Sequence, residues 1–451
     1  MKKRLLCALL AAAAAVSVAA CAPAAESGGA SAGGEEAGQE TPAEGVTEIE
    51  FWYGLGGNQA ELMEQIISTY NSSQDKVRVI GVQQSSYGDT AKALQAAVAA
   101  QSVPATTLCS HPDLRALYGK GVLEPLNSYI EADAEFDQDD ILDSFMDYCL
   151  NDAGDIMFLP AWGTTQVVYY RKDLFEEAGI DPEWAFADWL NLAEACRQMT
   201  VKEGDEVTFY GFEPMSGSDC LVDMAYSNGA DIISEDGKTI VFDSPEFVEA
   251  LESARQWINE EKIMGIHYGG DGWEYWYQTI DDVMEGRAGG YVGSSGDQAD
   301  LDFTKIAAHV QPGFNGNPPR PYADPVVVGM LALASDEQKE AGFDWLTYVN
   351  KTGTVDFCVN TGYVPARQSV QENETYKAYA EENPQALVIL DQVANYARMK
   401  FIDPTGGKID TALGDACDLI ELENVPAEEA LKEAKEIAQA ALDEYWAEQE
   451  G

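Results

Sequence analysis

The sequence predicts an α/β protein of two lobes, each a mostly parallel sheet flanked by helices, and three observations carry that reading. Segments of strand period alternate with segments of helix period, as in sheets whose parallel strands are joined by crossover helices. A second series of such units starts near Val167 with different punctuation. After an N-terminal polar stretch, about 400 residues of globular composition remain, more than one hydrophobic core usually organises.

The first twenty residues have the form of an export signal. Lys2, Lys3 and Arg4 supply the positive start, Leu5 to Val18 an apolar stretch of signal length, and Ala19 and Ala20 a small-residue cleavage site. Cys21 stands directly after the cut, and this arrangement resembles the bacterial lipobox, in which that cysteine receives a lipid. From Ala22 to Gly45 the chain is Ala, Gly, Ser, Glu, Pro and Thr with one Gln and no large apolar residue, so residues 21–45 read as a disordered, lipid-anchored stalk.

The body opens on a strand, Val46 to Tyr53, broken by Gly54, Gly56 and Gly57. Asn58 with Glu61 reads as an N-cap with its capping-box partner, and Leu62, Ile66, Ile67 and Tyr70 form the apolar face that follows. Val77 to Val82 is a strand, Thr90 to Gln101 an alanine-rich helix, Ala105 to Cys109 a strand, and Pro112 to Tyr118 a short helix. The second series has a strand at Val167 to Tyr170, a helix at Lys172 to Ala178 and another at Pro182 to Met199. Ser244 before Pro245 caps a helix with proline at its first position, and Ser335 with Gln338 caps another. The last helix, Ala427 to Trp446, sets Ala430, Ala434, Ile437, Ala441 and Tyr445 on its buried side.

Charge excludes some partners. With 27 Lys and Arg against 78 Asp and Glu, a net charge of −51 repels nucleic acid and anionic lipid headgroups. Cys109, Cys149, Cys196, Cys220, Cys358 and Cys417 show no zinc or redox spacing and read as buried free thiols. Catalytic motifs are missing: Gly293-Ser294-Ser295-Gly296 lacks the spacing of a nucleophile elbow, and Gly54-Leu55-Gly56-Gly57 lacks the third glycine of a dinucleotide loop. The run Asp133, Glu135, Asp137, Asp139 begins like a calcium loop without its central glycine, so it reads as a solvated connector. No cofactor and no metal are expected.

Several blocks in order carry a family resemblance. Ile49-Glu50-Phe51-Trp52-Tyr53-Gly54-Leu55-Gly56-Gly57, then Ser86-Tyr87-Gly88-Asp89 before an alanine-rich helix, is similar to the opening of the family 1 extracellular solute-binding proteins of ABC importers. Leu159-Pro160-Ala161-Trp162 and the run Val168 to Pro182 resemble that family's crossover strand and following helix. Glu285-Gly286-Arg287-Ala288-Gly289-Gly290 resembles another block, departing where methionine would stand. Thr361-Gly362-Tyr363-Val364-Pro365-Ala366-Arg367 and Pro426-Ala427-Glu428-Glu429-Ala430-Leu431 complete the set. The resemblance implies a periplasmic-binding-protein fold with the ligand cleft between lobes, one lobe of residues 46–163 and 327–364 and the other of 164–326 and 366–451. It also implies a monomer that works with a membrane permease and a cytoplasmic ATPase.

In open α/β sheets ligands sit beyond the carboxyl ends of strands. Together with the resemblance, this places Trp52 or Tyr53 with Gly54, Tyr87, Ser110 with His111, Trp162, Thr164, Ser294 with Ser295, Gly329 and Tyr363 around one crevice. Tyr87, Trp162 and Tyr363 are the stacking candidates for a sugar, with Thr164, Ser294 and Ser295 as polar rim. Trp52 ends a strand and serves a core equally well. Trp273, Tyr275, Trp276 and Tyr277, beside Asp271, fit either a sugar platform or helix packing. The function implied is capture of a carbohydrate, an oligosaccharide by preference. The same role for glycerol-3-phosphate or a glycerophosphodiester is the alternative, although Thr405-Gly406-Gly407-Lys408 stands where phosphate binders would offer an arginine near a glycine. A lipid-anchored glycoside hydrolase is the alternative of another class, since carboxylates are abundant enough for a catalytic pair.

Overall fold

Strand β1 (Thr47–Tyr53) buries Ile49, Phe51 and Tyr53 in strict alternation, and parallel neighbours β2 (Val77–Gln83) and β3 (Thr106–Ser110) flank it on both sides. This comes from a computed structural model that describes residues 45–118, 121–151, 153–204, 206–269 and 274–450. The signal, Cys21, the stalk up to residue 44, Asp271 and Trp273 lie outside the described residues.

The helices between these strands start where backbone geometry allows. The first spans Gly57–Ser73 with Gly56 at its cap, so Asn58 lies inside the helix and is not the N-cap its sequence suggests. The second, Tyr87–Ala100, starts three residues before the expected Thr90, because the Ser86 hydroxyl accepts from the Asp89 amide at 3.1 Å. Gly54 is required between strand and turn: a Cβ there would come within 2.4 Å of the Ser86 backbone.

The sheet departs from the expected mostly parallel order at its centre. Strand β4 (Leu159–Arg171) is followed in sequence by a separate two-stranded ribbon, β5 (Val201–Glu203) with β6 (Glu206–Phe209), and then by β7 (Glu213–Pro214), β8 (Gly290–Ser294), β9 (Ile306–His309) and β10 (Tyr322–Met330). The order is β2-β1-β3-β10-β4-β8-β7, with β11 (Val364–Pro365) and β9 pairing with β4, and β12 (Arg398–Met399) with β10. Strand β10 runs antiparallel to both β3 and β4, and β4 runs antiparallel to β8, so the ten-stranded sheet is mixed. Periodicity reports that a segment is a strand, not the direction in which a distant segment returns beside it.

Strand β4 is thirteen residues long where only Val167 to Tyr170 read as strand. Pro160 and Gly163 look like breakers, but the ladder absorbs the proline at an irregularity: Val326 faces Trp162 while the next residue, Val327, faces Pro160. The expected helix from Pro182 to Met199 is two, Pro182–Ala185 and Trp189–Met199, because Asp188 caps a fresh start by accepting from the Leu190 amide at 2.9 Å. Ser244 and the Ser335–Gln338 capping box form as expected. On the final helix, Ala427–Glu450, Ala430, Ala434 and Ala441 are buried as expected, whereas Ile437 is 57% exposed and Leu431, Ala438 and Leu442 complete the packed face.

Three hydrophobic clusters fill the body. One joins β1, β2 and β3 with Leu159 to Trp162 of β4 and Val326 to Met330 of β10. A second gathers Val168 and Val292 with the helices Trp189–Met199, Pro245–Arg255, Lys408–Leu422 and Ala427–Glu450. A third surrounds Tyr169 and Tyr291 and extends to Val364, Ala366 and Ile389. Strands β4 and β10 are thus continuous ties that leave one core and enter another. All six described cysteines are buried free thiols, as expected.

Candidate ligand cleft

Where β4 and β10 pass from one core towards the next, Thr164 faces Asp324 and Gly163 faces Pro325. Gly163 is obligatory there, since a Cβ would lie 2.4 Å from the Phe145 ring and 2.8 Å from the Asp324 carbonyl. Next to this crossing is a cavity of about 540 Å³. Thr164 and Gln166 of β4, Tyr322 of β10 and Ser294 of β8 form its floor, and Tyr275 and Trp276 form an aromatic wall. That wall is the first turn of the helix Glu274–Glu285, whose lower turns bury Ile280 and Val283.

Polar groups in the cavity are held by one another. Tyr322 Oη donates to Asp219 Oδ2 at 2.7 Å and accepts from Gln166 Nε2 at 3.1 Å. Lys400 Nζ donates to Asp219 Oδ1 at 2.8 Å and lies 4.7 Å from the centre of the Tyr322 ring. Trp276 Nε1 donates to Asp297 Oδ1 at 3.1 Å, and Tyr291 Oη donates to Asp297 Oδ2 at 3.2 Å. Burial pushes the Asp297 carboxyl up to about 7.

Asp324 faces Thr164, a residue of the cavity lining, across the β4–β10 ladder. Its side chain is open to solvent, yet desolvation by surrounding protein raises its pKa above the ordinary Asp value, the combination a cleft floor produces. Its charge acts on Tyr87, Tyr148 and Tyr363 from the first core's side and on Tyr322 and Lys400 from the other. A side cavity of about 150 Å³ shares Ser218, Asp219 and Tyr322 with the main one and reaches Phe401 and Asp410. Arg398 nearby is engaged, with Nη1 2.7 Å from Asp231 and its guanidinium 3.8 Å from the Tyr226 ring centre.

The structure sorts the residues named from sequence. Thr164 and Ser294 line the cavity, as do Tyr275, Trp276 and Tyr277, and Tyr275 and Trp276 also pack against the third hydrophobic cluster. Tyr87 and Tyr363 are half-buried near Asp324; Tyr363 also meets Phe357 edge-on at 5.6 Å. Trp52 is half-buried with Nε1 donating to Glu50, and Ser110 donates to Asp113 at 2.6 Å.

Five others are packing residues. Trp162 is fully buried, its ring stacked on Phe357 at 3.6 Å and 9°, so it is no stacking platform for a ligand. Tyr53 is fully buried and donates to Glu64, and Gly329 faces Phe158 in the first core. His111 is enclosed between Tyr148 and Phe158, with burial pushing its pKa down to about 4, so it stays neutral. Ser295 is buried and its hydroxyl accepts from the Thr165 amide at 3.2 Å. Gly54 acts by close approach, as described above. Arg367 of the Thr361 to Arg367 block is likewise structural, holding Asn350 at 2.6 Å and the Asp137 carbonyl at 2.8 Å.

Sequence reasoning missed Asp219, Asp297, Tyr322, Asp324 and Lys400. Asp324 had a signal: it is a lone carboxylate inside the otherwise apolar strand Tyr322 to Met330. The rest come from separate segments that only the fold brings together. Metal-type donors gather elsewhere, at Glu213, His267 and Asp282.

Residues 65–385 match the family model described as bacterial extracellular solute-binding protein. The sn-glycerol-3-phosphate-binding periplasmic protein of Brucella abortus (strain 2308) is 21% identical over 402 residues, covering 82% of this chain and 91% of the relative. The arabinooligosaccharide-binding protein of Halalkalibacterium halodurans is 22% identical over 429 residues, covering 89% and 91%. Among solved structures, the cyclic alpha-maltosyl-1,6-maltose binding protein of Arthrobacter globiformis superposes with a TM-score of 0.73 at 20% identity, covering 88% of this chain and 99% of that one, a likeness of fold.

Proposed function

The chain belongs to the bacterial extracellular solute-binding proteins, and from that premise we propose that it captures a neutral oligosaccharide at the β4–β10 crossing and delivers it to an ABC permease. The supporting observation is the composition of the cavity: aromatic side chains of Tyr275 and Trp276 line it together with the carboxylate of Asp219 and the hydroxyl of Tyr322, and Asp324 faces the lining residue Thr164. Sugar rings offer C–H patches to such faces and hydroxyl donors to such acceptors.

The relatives include glycerol-3-phosphate binders, and a phosphate would call for cations aimed at it. Here Lys400 is bonded to Asp219 and Arg398 to Asp231, so the two nearby cations are already paired with carboxylates. That balance favours an uncharged guest over an anion. The family consists of binding proteins, and in this reading the guest leaves unchanged.

The lobes of this proposal are residues 46–163 with 327–364 and residues 164–326 with 366–451, closing about β4 and β10. A lipid on Cys21 and the stalk through Gly45 would hold the body, a monomer, at the outer face of the cytoplasmic membrane. Titration calorimetry against neutral oligosaccharides and glycerol phosphates tests the reading. Saturable binding of an oligosaccharide, without turnover and with compaction in small-angle scattering, is the expected result. Preferential binding of a glycerol phosphate, or hydrolysis of the sugar, overturns it.

A further inference from the structure

Glu213, His267 and Asp282 come from three separate pieces of chain. Glu213 is in β7, paired with Tyr291 of β8; His267 is in the loop before the helix Glu274–Glu285; Asp282 is in that helix's last turn. One donor atom from each lies within 4.8 Å of the other two. His267 Nε2 is 2.9 Å from Asp282 Oδ2 and 3.8 Å from Glu213 Oε2.

This trio carries an unmet electrostatic demand. Glu213 is 1% exposed, and its Oε2 has no hydrogen-bond partner. A buried carboxylate oxygen without a donor is costly. Asp282 can meet Glu213 only by sharing a proton with it, and the single proton His267 Nε2 could carry faces Asp282, the nearer oxygen. Arg287 does not fill the gap: its Nε donates to Asp282 Oδ1 at 2.6 Å and its Nη1 is engaged by Glu285. That contact instead fixes Asp282 so that Oδ2 faces the trio, the way outer contacts orient metal ligands.

We propose that Glu213, His267 and Asp282 bind a divalent transition-metal ion, zinc by the character of the donors. One imidazole nitrogen with two carboxylate oxygens suits zinc, whereas calcium and magnesium favour all-oxygen sets. Bonds of about 2.0–2.2 Å at tetrahedral angles put ligand atoms about 3.3 Å apart, and the observed 2.9 and 3.8 Å bracket that separation. The His267 side chain is 32% exposed, so the ion enters from solvent and water completes the coordination.

The ion would tie β7, the loop carrying His267 and the helix Glu274–Glu285 into one unit. That helix holds Tyr275 and Trp276 against the cavity at its opposite end, so the metal steadies the aromatic wall. The site itself does not depend on what the cavity binds.

The test uses the full chain, stripped with a chelator and titrated with zinc against a chromophoric competitor, with metal content measured by mass spectrometry and melting followed in parallel. One equivalent of zinc, a rise in Tm on loading, and at least a tenfold loss of affinity in both Glu213→Gln and His267→Ala support the site. His267 is on a partly exposed loop, so its variant keeps the fold even if Glu213→Gln does not. No zinc uptake, with Glu213→Gln raising Tm in metal-free buffer, means a proton shared between the carboxyls and overturns the proposal. Uptake that is undiminished in both variants puts the ion elsewhere on this acidic surface and overturns it equally.

Discussion

Asp324 stands directly opposite Thr164 in the β4–β10 ladder, at the point where both strands pass between hydrophobic cores. A carboxylate at a strand crossing meets groups from both sides at once, and Tyr87 and Tyr363 feel its charge from one side as Tyr322 and Lys400 do from the other. In the proposed reading, a guest held by Asp324 would bridge the two lobes.

Replacing that carboxylate should separate binding from folding. Asp324→Ala removes charge-assisted hydrogen bonds worth about 1.5–3 kcal/mol, a loss of affinity of roughly ten- to a hundredfold by calorimetry. Stability should hold or rise, because a partly desolvated acid is removed. Unchanged affinity with a lowered Tm would reverse the assignment.

The two tryptophans Trp162 and Trp276 should behave oppositely. Trp162→Ala opens a cavity beneath Phe357 and should cost about 3–5 kcal/mol in urea melts. Trp162→Phe keeps the stack and removes an indole N–H that has no acceptor, so its cost should be small. Trp276→Ala, from a half-buried wall residue, should spare most of the stability and weaken ligand binding at least tenfold. Equal affinity in wild type and Trp276→Ala would remove the aromatic wall from the site.

Gly54→Ala should unseat the Tyr87 turn. The new methyl would press on Ser86 backbone atoms at 2.4 Å, and backbone cannot swing aside as a side chain can. A cost of about 1–3 kcal/mol is expected, together with weaker ligand binding through displaced Tyr87. A Tm equal to wild type would mean the turn has room the geometry denies.

Much of the scaffold was legible in the chain because its cues are local. Ser244 with Pro245, and Ser335 with Gln338, announce helix starts through contacts three residues away, and both formed as read. The alternation of Ile49, Phe51 and Tyr53 likewise fixes the buried face of β1. Pro160 and Gly163 hid the first half of β4, because an irregularity in the ladder and a close approach to Phe145 are tertiary facts. Trp162 looked like a cleft residue for the same reason: beside a proline and a glycine it reads as a turn, while the strand delivers it to the core. The cavity was legible only at Thr164, Ser294 and the Tyr275 to Tyr277 aromatics. Asp219, Tyr322 and Lys400 are far apart in sequence and meet through hydrogen bonds that no spacing foretells.

The pH dependence of stability follows from acids buried beside the cavity. Glu421 accepts from the Gly217 amide at 3.2 Å, just behind the cavity lining, and desolvation pushes its carboxyl up to about 8. A folded-state pKa above the unfolded one means the native state holds its proton longer. Its contribution is therefore complete below the ordinary Glu value and declines as pH rises towards 8. Asp297, pushed up to about 7, acts in the same direction. Glu252, held down to about 2 by hydrogen bonding to Arg255, has the opposite sign and matters only in acid, below its ordinary value. Glu421→Gln should thus melt near wild type at pH 5 and above it at pH 8.5, by a few kcal/mol given about 1.4 kcal/mol per pK unit. Urea melts of both proteins at the two pH values measure this, and a gap that does not widen between them would show that Glu421 ionises freely in the native state.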